Sequence, residues 1–195
     1  MANQASHAFE EILPPSASAS SSTPTKKVSY DVFINHRGPD AKETLAASIY
    51  DTLHGMGLQV FLDKPELELG DSIPSETERA MTTSFLHIAI LSTKYAESPW
   101  CLAELSFMLK TGKKIIPVFY NVDPKDIHWI CQGKGIYADA FSNPKIKARY
   151  TSETLQEWKR ALQKVSYLSG YIVKNGEFVS NNLFSVNVMI YDISL

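Results

Sequence analysis

Short runs of apolar residues alternate along the chain with longer segments in which apolar residues recur every three or four positions. The short runs are rich in β-branched and aromatic residues, which favours buried strands. The pattern predicts four strands, at residues 28–34, 58–62, 85–91 and 114–120. Because each run is almost continuously apolar, we expect the sheet that they form to be covered on both faces.

The segments between these runs have the spacing and the end signals of helices. They predict helices over residues 40–56, 73–81, 99–109 and 152–168. Ser72 and Ser98 are the expected N-caps of the second and third helices. Residues 124–141 contain two interrupting glycines and are expected to be irregular or weakly helical.

Strands that alternate with helices in this way indicate an α/β fold. We expect a flavodoxin-like, doubly wound parallel sheet of four to five strands. In such sheets, ligands bind at the carboxyl ends of the strands. In this chain those ends are the segments 35–40, 63–71, 92–100 and 121–124. Functional residues are therefore expected in these loops and in the helix starts that follow them.

The two ends of the chain differ in composition from its middle. Residues 14–25 are almost entirely Ser, Ala, Pro and Thr, which cannot bury enough apolar surface to offset the entropy of ordering them. We therefore predict a disordered leader over residues 1–26 and one folded domain over residues 27–173. The remaining residues, 174–195, are expected to form a C-terminal extension, in which 184–193 would either add an edge strand or remain an unpacked terminus.

Composition and charge argue against several classes of partner. The 195 residues include 19 basic and 21 acidic side chains, a net charge of −2, so we expect no nucleic-acid partner. Cys101 and Cys131 have neither metal-ligand spacing nor the density of a disulfide framework, which favours a reducing compartment and no metal. With no apolar run of about eighteen residues and no signal or transit peptide, a cytoplasmic protein without a membrane span is expected.

Five blocks of the sequence carry recognisable motifs. The first block reads YDVFINHRGPD, and the third reads YAESPWCLAEL. The blocks lie in one order along the chain, at residues 30–40, 61–73, 95–105, 115–124 and 158–170. Together they resemble the Toll/interleukin-1 receptor (TIR) domain of plant immune proteins, whose signatures commonly read Y-D-V-F-L-S-F-R-G-E-D and Y-A-x-S-x-W-C-L-x-E-L. Because no nucleotide-binding or leucine-rich repeat region follows, the resemblance is to a TIR-only protein.

This resemblance implies an enzyme for which NAD⁺ is the substrate, with no separate cofactor. Many plant TIR domains cleave the bond between nicotinamide and ribose and release ADP-ribose or its cyclised relatives as immune signals. The matching catalytic residue is Glu104. One carboxylate is sufficient because nicotinamide leaves as a neutral molecule without a general acid, and a buried ionised Glu stabilises the ribose cation.

Two further candidates lie one helical turn or less from Glu104. Trp100 and Cys101 precede it by four and three residues, so all three side chains share a face of the predicted helix. An indole at this position would either stack on a flat ring of the nucleotide or pack into the core. Arg37, in the loop after the first strand, would either pair with a phosphate through its planar fork or bridge to a loop carboxylate.

The remaining candidates for substrate binding lie in the loops at the same end of the sheet. Gly38 and Asp40 share the loop of the first block, where a glycine would allow a tight turn. Ser92 would hydrogen-bond a ribose or cap its own turn. Lys64 belongs to the loop 63–71, which in the family reaches a neighbouring protomer and helps to complete the active site.

The resemblance also implies partners, namely further copies of the chain and other TIR-containing receptors. Many plant TIR domains carry a Ser-His pair in the first helix that forms one self-association surface, whereas this chain has Ala47 and Ser48. The alternative function is therefore a non-catalytic adaptor that binds other TIR-containing immune receptors. A flavodoxin or response-regulator relative fits the sheet, but the chain lacks the paired acids and the later lysine of a phospho-acceptor site.

Overall fold

A computed structural model describes residues 29–41, 45–62, 73–175 and 177–178 of the chain. The described residues form one sheet in the order β2-β1-β3-β4-β5-β6, in which the first five strands are parallel and β6 is antiparallel to β5. The strands are β1 Val32–His36, β2 Val60–Leu62, β3 Leu86–Ser92, β4 Lys114–Tyr120, β5 Tyr171–Lys174 and β6 Glu177–Phe178.

Helices connect the parallel strands and cover both faces of the sheet. They are α1 Gly38–Ala41, α2 Ala47–Gly55, α3 Ser75–Thr83, α4 Pro99–Thr111, α5 Lys125–His128, α6 Ala138–Ser142, α7 Pro144–Arg149 and α8 Ser152–Ser166. Helix α2 packs on one face, while α3, α4 and α8 pack on the other. This arrangement is the doubly wound parallel sheet that the sequence predicts, and the predicted α/β class is confirmed.

Successive side chains along β1 point alternately into these two layers. In β1, Val32 and Ile34 join the cluster under α2, whereas Phe33 joins the cluster under α4 and α8. Successive side chains of a strand point to opposite faces, so a continuously apolar strand supplies both cores. Asn35 lies two residues after Phe33 and therefore points to the same face of the sheet. On that face it lies opposite α4.

Helix α4, which carries the candidate catalytic residue, has well-defined ends. The hydroxyl of Ser98 accepts a hydrogen bond from the backbone N–H of Cys101 at 3.3 Å, with Pro99 in the first turn. Such a cap satisfies one of the free N–H groups of the first turn. At the other end, Gly112 ends the helix in the left-handed region with φ of 70°. The predicted cap at Ser98 is confirmed.

Several predicted boundaries are corrected. The predicted helix over 40–56 is described in two parts, α1 and α2, and residues 42–44 lie outside the described residues. The segment expected to be irregular or weakly helical contains two short helices, α5 and α6, with a 3-10 turn at Ile130–Gln132 between them, in line with the weakly helical alternative. Helix α3 begins at Ser75, after Pro74 with extended ψ, and the predicted cap Ser72 lies outside the described residues.

Strand β5 was not predicted, because only three apolar residues mark it. It pairs in parallel with β4, starting at Tyr171 opposite Val118. Gly170 permits this pairing, since a Cβ on Gly170 would lie 2.3 Å from the carbonyl oxygen of Pro117. The predicted leader and the segment 184–193 lie outside the described residues.

Across these same described residues, none of the helices has the length and apolar character needed to cross a bilayer.

Candidate active site

The carboxylate of Glu104 lies inside the protein, at the carboxyl end of the sheet. Glu104 is in the second turn of α4 and has an exposed fraction of 0%. Its Oε2 accepts a hydrogen bond from Nδ2 of Asn35 at 2.6 Å. Asn35 is in β1, so the sheet and the helix each contribute one partner. A buried carboxylate is costly unless hydrogen bonds replace its water shell, and Asn35 supplies one of these bonds.

Tyr95 fixes the orientation of the Asn35 amide. The Tyr95 hydroxyl donates to Oδ1 of Asn35 and lies 3.0 Å from the carbonyl oxygen of Cys101. Because Oδ1 accepts from the phenol, the amide must present Nδ2 to Glu104. Burial raises the pKa of the Tyr95 phenol well above its ordinary value, and the nearby Cys101 and Glu104 add to this shift. Tyr95 therefore stays protonated and remains a donor.

Cys101 is a second buried group beside this chain of hydrogen bonds. Its exposed fraction is 0%, and its Sγ donates to the backbone carbonyl of His36 at 3.3 Å. The thiol therefore ties the start of α4 to the end of β1. Like Glu104, Cys101 is buried in this structure, and its predicted contact with the substrate stays a prediction.

Arg37 and Asp40 form a separate polar group at the same end of the sheet. The guanidinium of Arg37 pairs with Oδ1 of Asp40 at 2.5 Å and with Oε2 of Glu97 at 3.3 Å. The second oxygen of Asp40 accepts from the Ser92 hydroxyl at 2.6 Å. The alternative reading of Arg37, a bridge to loop carboxylates, describes the contacts seen in this structure.

Tyr137, which directly precedes α6, also joins this group. Its hydroxyl donates to the carbonyl oxygen of Ser92 at 2.6 Å. Burial raises the pKa of Tyr137 well above its ordinary value, and the charge of Asp40 adds to the shift. The last residue of β3, Ser92, is thus held from two directions, by a phenol and by a carboxylate.

The structure therefore brings together most of the predicted site residues, but in two groups. The first group contains Glu104 and Cys101, which are both buried. The second contains the buried Ser92 and the partly exposed Arg37 and Asp40. Trp100 is half-buried in the first turn of α4, one turn before Glu104.

The remaining predicted site residues are Gly38 and Lys64. Gly38 begins helix α1, separated by only one residue from the end of β1, and its predicted part in substrate binding stays a prediction. Lys64, together with the rest of the loop 63–71, lies outside the described residues.

The sequence interpretation missed four residues that hold the site: Asn35, Tyr95, Glu97 and Tyr137. A polar Asn directly after three apolar positions was a usable signal for Asn35. Tyr95 is part of the third motif, but the motif gives no indication that its hydroxyl reaches a different strand. The contribution of Tyr137 depends on how the segment after β4 folds back over β3, which no local pattern encodes.

Comparison with known proteins agrees with this architecture. The TIR domain family matches residues 29–192 of the chain. The chain is 36% identical over 154 residues to the TMV resistance protein N of Nicotiana glutinosa, covering 77% of this chain and 13% of that protein. It is 33% identical over 141 residues to the probable 2′ cyclic ADP-D-ribose synthase BdTIR of Brachypodium distachyon, covering 72% of this chain and 58% of that protein.

A solved structure matches as well. The TIR domains of the activated Roq1 resistosome, which directly recognises the pathogen effector XopQ, superpose with a TM-score of 0.68 at 32% identity. The match covers 85% of this chain and 99% of that chain. The chain therefore belongs to the TIR domain family, and it is similar to a plant resistance protein and to a probable plant cyclic ADP-ribose synthase. It spans only part of the length of the curated relatives it matches.

Proposed function

We propose that this domain cleaves NAD⁺ and that Glu104 is its catalytic residue. The observation that carries the proposal is the buried carboxylate of Glu104, held by Asn35 at 2.6 Å at the carboxyl end of the sheet, where doubly wound folds generally bind ligands. A carboxylate removed from water and fixed by a neutral amide is suited to stabilise positive charge that develops next to it. The similarity to a protein named as a cyclic ADP-ribose synthase supports the same reaction class.

The reaction needs only one carboxylate. The bond between C1′ of the ribose and the pyridinium nitrogen breaks, and its electron pair stays on the nitrogen, so nicotinamide leaves neutral. Glu104 stabilises the positive charge left on the ribose. Water then adds to C1′ and loses a proton, which gives ADP-ribose, or a hydroxyl or ring nitrogen of the same ligand adds instead and gives a cyclic product.

Access to Glu104 requires a rearrangement, because the side chain is fully buried in the single chain. We propose that association between copies of the domain supplies it, in line with the assembled TIR domains of the Roq1 resistosome. Activity per molecule should then rise with protein concentration, because only associated copies would be competent.

The test is nicotinamide release by purified protein over a range of concentrations, compared with Glu104→Gln. This change keeps the shape and removes the charge, and we expect a fall in kcat of about 100-fold or more. Glu157→Gln is the matched control, because Glu157 is a partly exposed glutamate of α8 that pairs with Lys110. If wild type and Glu104→Gln release the same background amount at every concentration, the enzymatic proposal fails.

A second candidate function is a non-catalytic adaptor for other TIR-containing receptors. The similarity to the assembled TIR domains of the Roq1 resistosome supports it, and the buried Glu104 would then have only a structural role. Under this proposal the domain binds other TIR domains, and Glu104→Gln weakens folding without any change in turnover. Binding to a second TIR domain with no nicotinamide release at any concentration would favour the adaptor.

A further inference from the structure

The guanidinium of Arg37 is shared between two carboxylates that differ in how firmly they are held. Arg37 is mostly buried, with 20% of its side chain exposed. One NH group contacts Asp40 at 2.5 Å, and the other contacts Glu97 at 3.3 Å. An Arg fork that pairs with carboxylates is equally suited to phosphate oxygens.

Asp40 is the fixed partner of the pair. Its side chain is 15% exposed, and its second oxygen accepts from Ser92 at 2.6 Å. The carbonyl oxygen of Ser92 in turn accepts from Tyr137. Displacing Asp40 from Arg37 would therefore break a connected set of bonds, so an incoming anion is not expected to replace it.

Glu97 is the exchangeable partner. Its side chain is 51% exposed, and its contact with Arg37 is the longer of the two. It ends the 3-10 turn Tyr95–Glu97 and also lines a cavity of about 310 Å³ together with Lys94. An exposed ion pair of this kind contributes little stability, and the cavity provides space into which the glutamate can move.

We propose that Glu97 is an affinity-determining positioning residue, which holds Arg37 in the free protein and is exchanged for a phosphate of the dinucleotide. This inference rests on the proposed function, because it assigns Arg37 to the pyrophosphate of NAD⁺. Glu97 acts through Arg37 and through its own negative charge, and it does not contact the reacting bond. Its removal should therefore strengthen binding of phosphate-bearing ligands and leave the chemical step unchanged.

The experiment compares Glu97→Gln with wild type on two substrates, NAD⁺ and nicotinamide riboside, which has the same reacting bond but no phosphate. We expect the KM for NAD⁺ to fall about two- to fivefold, as for loss of one exposed ion pair, with kcat unchanged. The KM for nicotinamide riboside should not change. Glu157→Gln, which removes a similarly exposed paired glutamate from α8, should alter neither KM.

A binding measurement separates this inference from the proposed function. The dissociation constant of ADP-ribose, measured by calorimetry, should fall by the same factor in Glu97→Gln, even if no variant releases nicotinamide. In an Arg37→Gln background, Glu97→Gln should give no such gain. The inference is overturned if both substrates respond alike, if ADP-ribose binds equally to both proteins or too weakly to detect in either, or if the gain persists without Arg37.

Discussion

The two faces of the sheet are built from different kinds of side chain. Among the described residues, the buried members of the cluster under α2 are all aliphatic, for example Ile49, Leu53 and Ile88. The cluster under α3, α4 and α8 contains most of the buried aromatic residues and borders the hydrogen-bonded chain from Tyr95 to Glu104. One face therefore contributes mainly to stability, and the other contains the proposed chemistry.

Strand β1 shows the difference within five residues. Val32 and Ile34 point to the aliphatic side, while Phe33 and Asn35 point to the other side. Because the same strand serves both layers, the site is fixed by a backbone that the aliphatic core holds in place. We therefore predict that substitutions on the aliphatic face change mainly the free energy of unfolding. Substitutions on the other face should also change the activity.

The largest effect on stability is expected from the aliphatic face. Leu53 is fully buried in α2, and Leu53→Ala should lower the free energy of unfolding by about 2–5 kcal/mol, because it leaves a cavity among aliphatic neighbours. Urea denaturation measures this change. Nicotinamide release per folded molecule should stay at the wild-type value, and a matching loss of kcat would show that the two faces are not separable.

The second-largest effect on stability is expected from the hydrogen-bonded chain that joins Tyr95, Asn35 and Glu104. Asn35→Ala removes the donor to Glu104 and the acceptor of Tyr95, so the free energy of unfolding should fall by about 1–3 kcal/mol. Nicotinamide release should fall by a larger factor than the folded fraction accounts for. Tyr95→Phe is the companion variant, since it keeps the bond between Asn35 and Glu104. It should cost about 0.5–1.5 kcal/mol and retain more activity.

Equal activity in the two variants would contradict this assignment. It would mean that the direct contact of Asn35 with Glu104 has no part in turnover beyond its contribution to folding.

The two faces also differ in how far the sequence predicts them. Continuous apolar runs were enough to place β1, β3 and β4, and the apolar spacing was enough to place α8, because burial of apolar surface is encoded locally. The cap at Ser98 was equally predictable, since it depends on residues three positions apart.

The face that carries the hydrogen-bonded chain from Tyr95 to Glu104 was predictable only in part. The motif identified Glu104, but its partner Asn35 is 69 residues away along the chain, and the contact exists only once β1 and α4 have packed. The same holds for Glu97, which is 60 residues from Arg37. Side-chain bonds across elements depend on register and helix rotation, which periodicity leaves undetermined.

A smaller effect is expected from the pH dependence of the polar face. His87 is fully buried on β3, stacks edge-on against Phe33, and its Nε2 lies 2.8 Å from the carbonyl oxygen of Met81. Burial lowers the pKa of His87, the carbonyl contact raises it, and the charge of Lys113 lowers it further, with a net shift downward.

The lowered pKa of His87 makes the folded state less stable as the pH falls. Above the ordinary pKa of about 6.5 both folded and unfolded states hold His87 neutral, and its contribution is fully present. As pH falls below that value the unfolded state binds the proton first, so stability is lost, with a slope of at most about 1.4 kcal/mol per pH unit. Urea denaturation from neutral to acidic pH should show a shallower loss in His87→Gln. Parallel curves would assign the acid sensitivity to other groups.

The smallest effect is expected on the outer surface of α4 and α8, away from both cores. Lys110 and Glu157 pair at 2.6 Å, but their side chains are 67% and 45% exposed, so water and salt compete with the pair. Lys110→Ala should change the free energy of unfolding by about 0.5 kcal/mol or less and should leave nicotinamide release unchanged. A short ion pair on the helix that carries Glu104 would then contribute less than one buried amide, because burial rather than distance sets its strength. A measurable loss of nicotinamide release in Lys110→Ala would mean that the outer surface of α4 is coupled to the site. In that case Glu157→Gln would no longer serve as a neutral control.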